Sequence, residues 1–161
     1  MLKNTFHLVS LGCAKNTVDS DSMAQLLSRD GYRPVEDPEK ANVLIVNTCG
    51  FIGPAKQESI DVLRELASGK RNGQILIAAG CLTQRYGVEI AKQVPGIDGM
   101  LGTRRWMDIL QVVQELRKGP HPDVLYHLPT EAVTVEIDEN ETMRASVAGG
   151  SAYLKIADGC R

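Results

Sequence analysis

Three cysteines, Cys13, Cys49 and Cys81, each stand beside a glycine at the end of a strand-like run. Phe6-His7-Leu8-Val9-Ser10-Leu11 leads into Gly12-Cys13, Val43-Leu44-Ile45-Val46-Asn47 into Cys49-Gly50, and Ile75-Leu76-Ile77-Ala78-Ala79 into Gly80-Cys81. A helix-like segment follows each, so the chain reads strand, cysteine, helix three times, with spacings of 36 and 32 residues that suit successive βα units. In a parallel sheet the carboxyl ends of neighbouring strands share one rim, where ligands of such folds bind. Thiols far apart in sequence are therefore expected to converge.

Thiolates bind metals, and a helix amino terminus just past each cysteine is expected to lower its pKa. Structural zinc sites draw on paired C-x-x-C knuckles in a closed shell of four ligands, and this chain has no such pair. His7 falls within the first strand, and His121 and His127 near the last prolines, so none sits at an obvious rim position. Three soft ligands without a fourth suit a 4Fe–4S cluster with one open iron. Three other readings stay open: a zinc-stabilised scaffold, buried apolar thiols in a non-catalytic flavodoxin-like binding module, and a nucleophilic Cys13 that leaves Cys49 and Cys81 unexplained. Neither a Gly-x-Gly-x-x-Gly turn nor a Walker loop is present, which argues against both standard nucleotide sites.

The elements that position these residues follow from periodicity. Met23, Leu26 and Leu27 mark the inward face of a first helix ending at Gly31, and Tyr32 to Val35 reads as a short edge strand. Gly53-Pro54 opens a second helix lined by Ile60, Leu63 and Ala67 up to Gly69. A third is predicted from about Thr83 to Val94, with Pro95-Gly96 beyond it, then a strand at 98–101 and a helix at 104–118 burying Trp106, Ile109, Leu110, Val113 and Leu116. From Gly119 prolines and acids interrupt the pattern, so 119–145 reads as a linker with some strand character. Strand-like patterning resumes at 146–161, closing on Gly159-Cys160, as expected for the first piece of a second domain lying largely outside this sequence.

Composition excludes several classes. With 161 residues, 43% of them apolar, the chain can bury a proper core. A net charge of −2 and an aromatic content of 4% provide neither a basic stripe nor stacking platforms, so direct nucleic-acid binding by this domain is not expected. No secretory signal or membrane span is legible, which points to the cytoplasm, where disulfides are disfavoured.

The motifs Ser10-Leu11-Gly12-Cys13-Ala14-Lys15-Asn16-Thr17-Val18-Asp19-Ser20, Val46-Asn47-Thr48-Cys49-Gly50-Phe51-Ile52 and Ala79-Gly80-Cys81-Leu82-Thr83-Gln84-Arg85-Tyr86-Gly87 resemble the amino-terminal domain of the radical-SAM methylthiotransferases. They look most like the branch that modifies a ribosomal protein. The tRNA-modifying branch, the alternative, typically reads Tyr-Gly-Cys-Gln-Met-Asn at the first motif. Ala14 departs from the proline common in the ribosomal-protein branch. The resemblance covers about residues 5–118 and resumes at Tyr153-Leu154-Lys155-Ile156-Ala157-Asp158-Gly159-Cys160. It implies a flavodoxin-like three-layer α/β domain with a parallel sheet, a linker, and the first strand of a radical-SAM barrel.

It further implies that Cys13, Cys49 and Cys81 hold an auxiliary 4Fe–4S cluster and that Cys160 is the first ligand of a second one. The full-length enzyme would methylthiolate the β-carbon of an aspartate in a small-subunit ribosomal protein, using S-adenosylmethionine and an electron donor. No catalytic residue is expected within these 161 residues, which alone would be inactive.

Overall fold

A computed structural model describes residues 4–50, 53–128, 145–148 and 151–154. The continuous apolar runs form the middle of a sheet because they are buried on both faces. Strands β1 (Thr5–Ser10), β3 (Val43–Thr48) and β4 (Ile75–Gly80) lie side by side, flanked by β2 (Arg33–Pro34), β5 (Gly99–Gly102) and β6 (Leu125–His127). The order is β2-β1-β3-β4-β5-β6, every neighbouring pair parallel. This is the flavodoxin-like arrangement, and the expected fold class is observed.

Alternate residues of a strand point to opposite faces, and each face finds its own helices. Val43, Ile45, Ile75 and Ile77 pack with Met23, Leu26 and Leu27 of α1 (Ala14–Arg29) and Ile109, Val112, Val113 and Leu116 of α4 (Ile109–Arg117). Leu44, Val46, Leu76 and Ala78 pack with Ile60 and Leu63 of α2 (Gly53–Gly69) and Leu82 and Ile90 of α3 (Cys81–Gln93). The result is three layers, with α1 and α4 on one side and α2 and α3 on the other.

Three details differ from the periodicity reading. The last helix begins as a 3₁₀ segment over Thr103–Asp108 with a non-helical Arg105 (φ −126°, ψ 24°), and regular α-helix starts only at Ile109. That change of pitch shifts the inward stripe, so Val112 is buried and Leu110 only partly so. Helix α3 starts at Cys81 rather than Thr83. Within the stretch read as linker, Leu125–His127 joins the sheet beside β5, held from outside by a 2.7 Å contact between His127 Nε2 and Asp108. His7 is structural, its Nδ1 lying 2.9 Å from the Val35 carbonyl oxygen.

Farther along, β7 (Ala145–Ala148) and β8 (Ser151–Leu154) form an antiparallel hairpin that contacts α1. Cys160 lies outside the described residues. No described helix is long and apolar enough to cross a membrane.

Candidate functional site: three thiols at the switch point of the sheet

In this strand order the chain reverses its direction of growth between β1 and β3, which opens a crevice at their carboxyl ends. Cys13 and Cys49 follow the two strands flanking that crevice, and Cys81 follows the next strand, β4. The paired residues Ser10 with Asn47 and Thr48 with Gly80 bring the three strand ends to one level. Each thiol also stands at or near a helix start: Cys13 is the N-cap of α1, Cys81 is the first residue of α3, and Cys49 precedes α2.

The adjoining glycines are bare because the neighbouring turn occupies the space. A Cβ on Gly12 would stand 2.5 Å from Cβ and 2.8 Å from Sγ of Cys49, so that thiol rests directly on the Gly12 backbone. A Cβ on Gly50 would stand 2.8 to 3.0 Å from Leu82, the residue after Cys81. Gly80 adopts φ +96°, and its Cβ would fall 2.5 Å from the carbonyl oxygen of Thr48. The three turns are therefore interlocked in sequence order.

Beneath them lies a buried polar network to which sequence reasoning assigned no part. Asn16 donates from Nδ2 to the carbonyls of Leu11 and Thr48, both at 2.8 Å, tying the Cys13 turn to the end of β3. Asn47 donates to the Asn16 carbonyl and to Ser20 Oγ, each at 2.9 Å, and Ser20 donates to Ser10 Oγ at 2.8 Å. Ser59 on α2 clamps Cys49 from both sides, accepting from its amide at 3.0 Å and donating to its carbonyl at 2.9 Å. Thr48 and Thr83 share a hydroxyl contact at 3.2 Å. These satisfied polar groups immobilise the turns without competing for the thiols.

The Cys81 thiol lies 3.9 Å from the Thr103 hydroxyl. Gly102-Thr103 ends β5 in register with Gly80-Cys81, so the glycine-then-side-chain order of Gly12-Cys13 and Gly80-Cys81 recurs a third time with a hydroxyl replacing sulfur. That repetition was a legible signal for Thr103.

Helix starts were expected to depress the thiol pKa values, and at Cys81 the balance runs the other way. Burial pushes its pKa above the ordinary 9.0; the Thr103 hydroxyl opposes this, while Cys49, Cys13 and Asp19 add to the rise. A folded-state pKa raised above the unfolded one contributes stability below the unfolded value and loses it as pH climbs through the folded value. The metal-free protein should therefore lose stability above pH about 9 partly through this thiol. Replacing Cys81 with Ala should flatten the alkaline limb of denaturation midpoint against pH; an unchanged slope would refute this assignment.

Among the described residues, no group of three His, Cys, Asp or Glu side chains is placed to hold a metal ion. The cysteines follow three strands that are neighbours in the sheet, β1, β3 and β4, and their soft donor set suits iron–sulfur ligation. Cys13 is exposed while Cys49 and Cys81 are half-buried, so the thiols line an open crevice rather than a sealed core.

The model of the uncharacterized protein family UPF0004 matches residues 5–102. Among curated relatives, a protein of Roseiflexus sp. (strain RS-1) is 39% identical over 96% of this chain and 36% of its own length. One from Acetivibrio thermocellus is 42% identical over 99% of the chain and 36% of its own, and one from Syntrophomonas wolfei 44% over 94% and 34%. All three carry the name ribosomal protein uS12 methylthiotransferase RimO. The chain spans about a third of the length of these relatives.

Proposed function

The chain belongs to the UPF0004 family, and from that membership and its rim of thiols we propose that it is the cluster-bearing amino-terminal domain of a ribosomal protein uS12 methylthiotransferase. The observation that carries this reading is the placement of Cys13, Cys49 and Cys81 on three adjacent strand ends flanking the switch point, each with a neighbouring glycine packed against an adjoining turn. In this reading residues 5–118, with strand β6 (Leu125–His127) completing their sheet, form the auxiliary-cluster domain, the rest of 119–145 is the connection, and 146–161 is the start of the radical-SAM domain, with Cys160 the first ligand of its own 4Fe–4S cluster.

The three thiolates would hold the auxiliary 4Fe–4S cluster. When bound, the cluster supplies an open iron site for the sulfur to be inserted, and S-adenosylmethionine at the second cluster supplies the methyl group and the radical. The chain's own residues hold that site in place. Asn16, Asn47 and Ser59 fix the turns, the glycines let them interlock, and Thr103 offers a hydroxyl to the Cys81 sulfur. The substrate in this reading is the β-carbon of an aspartate in uS12, in the cytoplasm, with a separate electron donor.

The test is a methylthiolation assay of the full-length enzyme under anaerobic reconstitution, offering uS12 and tRNA in parallel. Mass gain on an aspartate of uS12 is expected. Modification of tRNA alone would overturn the ribosomal-protein reading and leave the tRNA one standing.

A further inference from the structure

The Thr103 hydroxyl stands 3.9 Å from the Cys81 sulfur, and the packing around it holds it there. Strands β4 and β5 end in register, Gly80 opposite Gly102, so the residues that follow leave the sheet side by side. Helix α3, which begins at Cys81, lies against the end of β5, with Gln84 filling the space a Gly102 side chain would need. Beyond Thr103 the chain turns at once into the 3₁₀ segment, whose Trp106 is buried in the core. The far end of that segment is pinned as well, Asp108 standing 2.8 Å from Arg105 Nε and 2.7 Å from His127 Nε2 on β6. Thr103 itself is half-buried and β-branched, so few rotamers are open to it. Together with the buried Asp19 and Asn47 it lines one small cavity that also touches Gly80. An ionised carboxylate only accepts hydrogen bonds, and the Asn47 amide hydrogens are committed to Asn16 and Ser20. Of these three side chains, Thr103 is the one that brings a hydrogen to the sulfur.

Resting on the cluster reading above, we propose that Thr103 is a positioning residue that donates a hydrogen bond to the Cys81 sulfur when that sulfur ligates iron, and thereby raises the reduction potential of the auxiliary cluster. In the metal-free protein the thiol can donate its own hydrogen to the Thr103 oxygen. A ligating thiolate has none to give, so the hydroxyl, which both donates and accepts, turns its hydrogen toward sulfur. A bond donated to a ligand sulfur draws electron density from it and favours the reduced state, one of the levers that set iron–sulfur potentials. An electron added to a body held by three thiolates, with Asp19 close by, meets unfavourable charge. A donor hydrogen at one sulfur offsets part of that cost.

The experiment uses full-length enzyme carrying Cys160→Ser, so that the auxiliary cluster alone is read, with Thr103 kept in the parent or replaced by Thr103→Val or Thr103→Ser. Each protein is reconstituted anaerobically, its iron is counted, and it is titrated with dithionite in the presence of redox dyes while its paramagnetic resonance is followed. Valine keeps the shape and removes the hydroxyl; serine keeps the hydroxyl. Thr103→Val should load about four irons, as the parent does, and its midpoint potential should fall below the parent's. Thr103→Ser should stay at the parent value. After exchange into heavy water, deuterium coupling to the reduced cluster should be weaker in Thr103→Val than in the parent. A threonine that only packs would change iron content or the thermal midpoint and leave the potential of the loaded protein where it was. An unchanged or raised potential in Thr103→Val, an equal fall in Thr103→Ser, or failure of Thr103→Val to load would overturn the proposal. If the parent itself takes up no iron, the cluster reading falls and takes this one with it.

Discussion

Full-length enzyme carrying Cys13→Ser, Cys49→Ser or Cys81→Ser should take up about four fewer iron atoms per chain than wild type on anaerobic reconstitution and lose methylthiolation of uS12 to background. The same loss from all three positions is what separates ligation from packing. Cys13 is exposed and Cys49 and Cys81 half-buried, so serine, nearly the same shape, should cost the metal-free fold no more than about 1 kcal/mol at any of them. Buried-thiol behaviour would give a small stability change and unchanged iron. Cys160→Ser is the internal contrast: it should keep the auxiliary cluster and lose the other. Iron content equal to wild type in any one of the first three variants would remove that cysteine from the ligand set.

The second large effect is expected at the glycines. Gly80→Ala places a side chain on a residue at φ +96° with Thr48 O and Asn47 Oδ1 each 2.5 Å from the new Cβ. The left-handed conformation costs an L-residue about 1–2 kcal/mol and the overlap about 1–3 more, so a loss of about 2–5 kcal/mol is expected in denaturant unfolding. Gly12→Ala, at φ +90° and 2.8 Å from Cys49 Sγ, should cost a similar amount and also push the thiol aside, so iron uptake should fall with it. Gly31→Ala isolates the conformational part. It has φ +88° with nothing within 4 Å of the new Cβ, so only about 1–2 kcal/mol should be lost and iron uptake kept. Equal losses at all three positions would show that backbone conformation alone, not the interlocking of the turns, makes glycine necessary.

Much of this was legible in the chain. Runs such as Val43-Leu44-Ile45-Val46 announce strands buried on both faces, and the cysteine at the end of each marked the edge they share, because a parallel sheet sends all its carboxyl ends to one edge. The polar network was not legible. Asn16, Asn47 and Ser59 are separated by 31 and 12 positions and acquire a role only once the strands pair, so no local pattern marks them. The 3₁₀ start of the last helix escaped because its period of three and the α period of 3.6 are nearly the same over six residues. The upward pKa of Cys81 escaped because burial, its largest cause, is a property of the packed domain.

The short sixth strand has a consequence for the route of the chain. A strand parallel to its neighbours must begin at the edge of the sheet remote from the thiols and finish at the edge that bears them. Helix α4 ends near that remote edge, and had the polypeptide left the domain there, whatever follows would set out from the far side of the molecule. Leu125–His127 instead runs back alongside Gly99–Leu101 and brings it to Leu128 on the thiol side. Three residues of strand thus serve as a return path that ends beside the crevice.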